Sequence, residues 1–169
     1  MKRIRNILHP TDFSEPSAHA LRFAAALARD YGARLVVLHA AETTPLSYFE
    51  GTSAGDPEAP VRAARQRFEQ LDVPHVGASV ERRFEVGNAT DAILQTAADV
   101  RADLIVMGTH GRTGLSRLLL GSAAEEVMRH ATCPVLTLKS PAAHPVIECE
   151  ARAEEFIGSA YVGSSPEAR

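Results

Sequence analysis

The residues best suited to chemistry stand in a glycine-rich segment in the second half of the chain. The segment holds Gly108, Gly111 and Gly121, then Ser122, with Glu125 three residues after the serine. A serine followed at that spacing by glutamate is the capping-box pattern of a helix start. Glycine lets the backbone approach a ligand, and the first N–H groups of a helix have no partner within it. The segment therefore predicts a phosphate site, against the alternative of an ordinary strand-to-helix connection.

This segment matches neither of the two common phosphate-binding motifs. It contains no lysine, which excludes G-x-x-x-x-G-K-[ST], and G-x-G-x-x-G is absent as well. Its pattern is G-x2-G-x9-G-S. With the opening Ile-Leu-His-Pro-Thr-Asp-Phe-Ser at residues 7–14 and Cys-Pro-Val-Leu at residues 133–136, the chain resembles the ATP-binding members of the universal stress protein family. The resemblance covers roughly residues 2 to 139.

Length, charge and composition restrict the class of protein. A chain of 169 residues suits one domain that buries roughly 70% of its unfolded surface. The net charge of −3 argues against bulk binding to nucleic acid or to an anionic membrane. No run approaches the ~20 apolar residues of a membrane span, and no signal peptide is visible. The 2 cysteines are too few for a disulfide framework, so we expect a cytoplasmic protein.

The order of secondary structure follows from the apolar pattern. Apolar runs predict five strands, at residues 4–8, 34–40, 78–85, 104–107 and 135–138. Helices are predicted between them, with N-terminal caps at Ser14, Asp56 and Ser122. The third helix is predicted to open at Gly87-Asn88. Such alternation indicates a parallel α/β sheet with right-handed crossovers.

The resemblance implies a more detailed architecture. It implies an open five-stranded parallel sheet in the order 3-2-1-4-5, with helices on both faces, Rossmann-like and similar to the adenine nucleotide alpha hydrolases. In such sheets ligands bind where the strand order reverses, which is between strands one and four. The family domain corresponds to residues 1–140. Residues 141–169 form an extension of unknown role, either packed on the domain or a partner subunit through its apolar residues, or a loose tail.

The resemblance also implies the ligand contacts, residue by residue. Asp12 corresponds to the aspartate that binds the ribose hydroxyls, Pro10 and Thr11 line the same wall, and the backbone of Ala40 contacts adenine. The phosphate loop comprises Met107, Gly108, His110, Gly111, Arg112, Gly121, Ser122 and Ala123. Asp12 has a simpler alternative as a turn residue. No spaced His/Cys ligand set is present, so no metal site is predicted.

Three functions compete at this point. The first is an ATP-binding stress protein that acts as a regulatory homodimer, with Mg2+ beside the phosphates; ADP, AMP or a cyclic nucleotide would also fit. The second is a slow ATP hydrolase or phosphotransferase, and the third is a nucleotide-free interaction module. No catalytic residue is predicted, because there is no P-loop lysine and no obvious water-activating carboxylate. Subunit pairing through the fifth strand is implied by the resemblance, with an unidentified protein partner and without membrane or nucleic acid.

Overall fold

The computed structural model describes residues 3–42, 56, 58–75, 77, 79–109 and 121–139, and within them strands and helices alternate. The strands are β1 (Asn6–Pro10), β2 (Arg34–Ala41), β3 (Val80–Val86), β4 (Leu104–Gly108) and β5 (Val135–Leu138). The helices are α1 (Glu15–Tyr31), α2 (Ala59–Glu69), α3 (Ala89–Asp99) and α4 (Ser122–His130). Each predicted element is therefore present, with its ends shifted by a few residues at most. The extension at residues 141–169 lies outside the described residues.

The five strands form one parallel sheet in the order β3-β2-β1-β4-β5, which confirms the expected fold. In the centre, Leu8 of β1 pairs with Val36 of β2 on one side and with Ile105 of β4 on the other. Connections run from β1 toward β3 in one direction and from β4 toward β5 in the other. The order thus reverses between β1 and β4, where parallel sheets leave a crevice at the carboxyl ends of the strands.

Two apolar clusters, one on each face of the sheet, form the core. Ile7 belongs to the cluster that holds the alanines of α1 and Phe68 of α2. Its neighbour Leu8 belongs to the cluster that holds Ile93 of α3 and Val127 of α4. Successive side chains of a strand point to opposite faces. Two helices therefore cover each face, as right-handed crossovers in this strand order require.

The helix ends show which local signals were reliable. Ser14 caps α1 by accepting a hydrogen bond from the Ser17 amide, and Asn88 caps α3 in the same way. The cap predicted at Asp56 is wrong, because α2 begins after Glu58, which makes no side-chain cap bond. The carboxylate of Asp56 instead accepts from the Glu58 amide at 2.9 Å, an Asx turn that precedes the helix. In the part of the chain that the structure describes, no helix is long and apolar enough to cross a membrane.

Candidate functional site

A cavity opens where the strand order reverses, at the carboxyl ends of β1 and β4. It encloses about 170 Å³ and brings together nine of the residues singled out from the sequence: Pro10, Thr11, Asp12, Ala40, Met107, Gly108, Gly121, Ser122 and Ala123. The other three, His110, Gly111 and Arg112, lie outside the described residues. Sites that enclose a drug-sized ligand usually measure about 300–1,000 Å³. The described walls therefore hold part of such a ligand and leave the rest at the mouth.

A tight turn after β1 presents Asp12 to this cavity. Its Oδ1 accepts hydrogen bonds from the Ser14 amide at 3.0 Å and from the Ser14 hydroxyl at 2.6 Å. Phe13 between them has φ +64, a conformation that a residue with a side chain rarely adopts. Asp12 is thus a turn residue, as the simpler interpretation held. Its Oδ2, however, accepts no hydrogen bond from any described residue and can take one from a ligand.

The wall beside Asp12 is fixed by buried polar groups. The Thr11 amide donates to the Leu38 carbonyl at 2.7 Å, and its hydroxyl oxygen accepts from the Ser17 hydroxyl at 3.1 Å. The Thr11 carbonyl accepts from Nδ1 of the buried His39 at 2.7 Å. The ring of Phe13 packs on the same imidazole with 4.3 Å between the ring centroids. These hydrogen bonds and ring contacts fix the wall before a ligand binds, so binding requires little rearrangement of the protein.

Gly108 has a structural reason to lack a side chain. A Cβ placed there would lie 3.0 Å from the carbonyl carbon and 3.1 Å from Cβ of Pro16 in the first turn of α1. The end of β4 and the start of α1 can approach this closely only because position 108 is a glycine. The resemblance assigned Gly108 to the phosphate loop. The packing shows that this glycine lets the start of α1, which follows Asp12, approach β4, which carries Met107.

The start of α4 differs from the sequence expectation. Gly121, with φ −61 and ψ 144, is the N-cap and makes no side-chain cap bond, whereas Ser122 is the first helical residue. The capping-box interpretation of Ser122 and Glu125 is therefore wrong by one residue. The Gly121 amide donates to the Thr109 carbonyl at 2.8 Å and ties the helix start to the end of β4. The first turn lines the cavity, and no hydrogen bond from a described side chain caps it. Its N–H groups and the helix dipole favour an anion there.

The opposite wall is apolar, and apart from Ala40 its residues are not among the predicted site residues. Leu38 and Ala40 lie in the second half of β2, and Ala89 and Ile93 lie in the first turns of α3. All four line the cavity. The apolar periodicity of α3 indicates that Ile93 faces inward, but only the folded topology shows that it lines the cavity with Leu38 of β2. Ser17 was missed for the same reason, although its position three residues after the Ser14 cap is a local signal.

The electrostatics of the described site favour binding over chemistry. Asp12 is the single ionisable side chain among the described lining residues. Behind the wall, His9 is fully buried, and its Nδ1 donates to the Val106 carbonyl at 2.8 Å. Burial lowers the pKa of His9 from 6.5 to about 4, so the imidazole is neutral near pH 7 and supplies no positive charge. The described residues contain no group of three or more side chains able to hold a metal ion.

Comparison with known proteins identifies the family and agrees with the fold. A model of the universal stress protein family matches residues 3–139. A universal stress protein of Methanocaldococcus jannaschii is 32% identical over 141 residues, which are 81% of this chain and 83% of that protein. The solved structure of a second universal stress protein from the same organism is 28% identical, with a TM-score of 0.67, over 84% of this chain and 100% of the other.

A further solved relative is informative about ligands. It is a universal stress protein in complex with cAMP, 28% identical, with a TM-score of 0.55 over 82% of this chain and 99% of the other. That relative therefore binds an adenine nucleotide on the same fold.

Proposed function

The chain belongs to the universal stress protein family, and we propose that it is an adenine-nucleotide-binding regulator of the stress response. ATP with Mg2+ is the ligand we expect, and ADP and AMP share the adenosine part and would compete for the site. A cytoplasmic location suits such a ligand. The observation that carries the proposal is one cavity lined both by Asp12, whose Oδ2 accepts no bond from a described residue, and by the N-terminus of α4, which no described residue caps.

Each part of the nucleotide has a chemically suitable partner in this cavity. Oδ2 of Asp12 accepts from the ribose hydroxyls, which are donors in a fixed pair. The base lies against the apolar wall of Leu38, Ala40 and Ile93. The phosphates lie at the start of α4, where N–H groups and the helix dipole favour negative charge. His110 and Arg112, outside the described residues, remain predicted further donors.

The ribose contact distinguishes between adenine nucleotides. A 3′,5′-cyclic phosphate has no free 3′-hydroxyl, so it offers Asp12 one donor where ATP and AMP offer two. A hydrogen bond to a charged group contributes about 1.5–3 kcal/mol. If both hydroxyls bind Asp12, cAMP and 3′-deoxy-ATP bind more weakly than AMP and ATP respectively, which calorimetry measures. Equal affinities would exclude the proposed ribose contact.

The phosphate contact is tested at Gly121. Valine fits its extended backbone, φ −61 and ψ 144, but adds a branched side chain at the start of α4. We expect Gly121→Val to lower ATP affinity about tenfold or more through lost backbone contacts, with an unchanged unfolding curve. Met128→Val is the matched control, because Met128 lies in the same helix and is exposed. Unchanged affinity in Gly121→Val would remove the phosphates from this helix end.

Slow hydrolysis is the alternative that the same site permits. Within the described lining, Asp12 is the one carboxylate that could act as a general base toward water, and the proposal places it at the sugar and not at the phosphates. We therefore propose binding without appreciable turnover. Phosphate release over hours, compared between the natural chain and Asp12→Asn, measures this. A metal-dependent release that the substitution abolishes would establish the hydrolase instead.

We also propose a homodimer through β5, in which nucleotide state alters contact with an unidentified protein partner. β5 is the edge of the sheet beside β4, and exposed edges are usually covered or paired. The Pro134 carbonyl accepts a hydrogen bond from the Ile105 amide of β4, and the Leu138 carbonyl accepts one from the Thr109 amide just after β4. By strand alternation, the N–H group of Thr137 faces away from β4. Thr137→Pro removes that donor and should shift the chain to monomer in sedimentation, whereas Thr137→Val should not. An unchanged mass would exclude edge pairing at Thr137.

A further inference from the structure

A second groove lies at the amino ends of the strands, on the side of the sheet away from the nucleotide cavity. One half of it is lined by Arg3, Arg5 and Arg101, together with Asn6 and Asp103. All three arginines are exposed, and none forms an ion pair with a described residue. The one carboxylate of the groove, Asp103, accepts the amides of Arg5 at 2.9 Å and Asn6 at 3.2 Å through the same oxygen. This half, which we name the basic half, thus carries excess positive charge.

Arg101 occupies a backbone position that glycine normally fills. Its φ is +50, its amide donates to the Ala98 carbonyl, and the amide of the next residue donates to the Ala97 carbonyl. The end of α1 has the same pair of bonds around Gly32, whose φ is +60. A side chain in this conformation costs free energy, which glycine avoids. An arginine in this costly conformation leads to the hypothesis that its guanidinium group makes a favourable contact.

The other half of the groove is largely apolar. Ile4, Leu104, Cys133 and Pro134 line it, and it shares Arg101 and Asp103 with the basic half. The two halves therefore adjoin at Arg101 and Asp103. The apolar half begins beside Pro134, directly before β5, and the basic half lies farther along, beside the start of β1. A peptide that enters the groove beside β5 would therefore meet the apolar half first and the basic half second. It needs apolar residues followed by carboxylates along its sequence.

We propose that the occupant is this chain's own C-terminal extension. Residues 145–150 read Pro-Val-Ile-Glu-Cys-Glu, so two apolar residues precede two glutamates in the order that the groove requires. Residues 148–155 carry four glutamates and one arginine. Val146 and Ile147 enter the apolar half, and Glu148 and Glu150 meet the arginines.

The extension is long enough to reach this groove. β5 ends at Leu138, at the carboxyl ends of the strands, whereas the groove lies at their amino ends. Its four residues span roughly 13 Å, while the nine residues 139–147 span up to about 30 Å when extended. A tethered segment also has a high effective concentration, so weak contacts suffice to hold it. Nucleic acid is the competing occupant of a basic groove, and the net charge of −3 disfavours it.

The chain's two cysteines provide a direct test. Cys133 lines the apolar half, and Cys149 lies between the two glutamates. If the segment docks, oxidation of the dilute full-length chain by copper phenanthroline joins the two thiols within one chain. The product is read as a tryptic cross-linked peptide. Arg101→Glu slows this step about fivefold or more, because it replaces an attractive pair by a repulsive one, and 0.5 M salt slows it likewise.

A charge swap and a control make the test specific. Arg101→Glu combined with Glu148→Arg should restore the cross-linking rate, and Arg22→Glu, an exposed position on α1, should leave it unchanged. Trypsin cleavage after Arg152 gives a second readout that needs no thiol; Arg101→Glu should accelerate it. ATP affinity should be the same in all these variants, since the groove lies away from the nucleotide cavity.

Three results would overturn the docking proposal. One is a cross-linking rate that neither salt nor Arg101→Glu changes. Another is a product that joins only different chains, which would mean that the segment binds a second copy. The third is an RNA oligonucleotide whose binding is lost in Arg101→Glu while cross-linking and trypsin cleavage stay as in the natural chain.

Discussion

Asp12→Asn separates the role of Asp12 in the turn from its proposed contact with ribose, because asparagine has nearly the same shape as aspartate. Its side-chain oxygen can still accept both Ser14 hydrogen bonds, at 3.0 Å and 2.6 Å in the natural chain. The position of Oδ2 then holds an amide group, which donates where a ribose hydroxyl also donates. The substitution therefore removes the ligand bond and keeps the turn. Loss of a hydrogen bond to a charged acceptor costs about 1.5–3 kcal/mol, which is roughly a 10- to 150-fold loss of affinity.

Calorimetric titration with ATP measures this loss, and Ser14→Ala is its counterpart. Ser14→Ala removes the N-cap of α1, at a cost of about 1 kcal/mol, or roughly 2–4 °C in Tm for a chain of this length. It leaves Oδ2 of Asp12 in place, so ATP affinity should stay within about threefold. Asp12→Asn should do the opposite, with weak binding at a nearly natural Tm. If Asp12→Asn binds ATP normally, or if both variants lose affinity equally, Asp12 acts only through the turn and the ribose assignment is wrong.

Three further substitutions probe the frame of the site. Gly108→Ala should lower Tm and ATP affinity together, because its Cβ would meet the Pro16 backbone at 3.0 Å; thermal melts with and without ATP measure both. Gly32→Ala should cost about 1 kcal/mol through its φ of +60 alone, since a Cβ there meets no atom within 4 Å; ATP affinity, measured in parallel, should not change. Burial lowers the pKa of His9 to about 4, so below pH 6.5 the unfolded chain binds a proton that the folded chain refuses. Stability should therefore fall by about 3 kcal/mol between pH 6.5 and 4, and urea unfolding of His9→Gln should lack this part of the slope.

The fold was predictable because its signals are local and repeated. Alternating apolar runs and helix-period segments predicted the order of strands and helices, and Ser14 and Asn88 marked helix starts correctly. The strand order came from the resemblance to a family, since periodicity carries no information about which strands are neighbours. The cap at Asp56 was wrong because an Asx turn and an N-cap use the same residue types.

The residues of the candidate site were predictable where motif and topology coincide. Asp12 and Gly121 belong to matched motifs and do lie on one cavity. Ser17 and Ile93 belong to no motif, and only the packing of α1 and α3 against the strand ends brings them to the same place. The close contact behind Gly108 could not be inferred either, because the pattern does not show which helix passes over that residue.

The parallel topology also explains why the surfaces at the carboxyl and amino ends of the strands differ in charge. Helices run antiparallel to their strands, so their N-termini gather near the cavity at the carboxyl ends of the strands and their C-termini near the amino ends. Cations near helix C-termini are favourable, and basic residues indeed stand in the last turns of α1, α2 and α4. This accounts for Arg101 just after α3, but not for Arg3 and Arg5, which precede β1. If Arg101 serves only to compensate the helix dipole, Arg101→Glu should destabilise the domain. Trypsin should then cleave after Arg152 only to the extent that the whole domain unfolds. Docking predicts faster cleavage at conditions where the domain stays folded, so tryptic rates set beside a urea curve distinguish the two explanations.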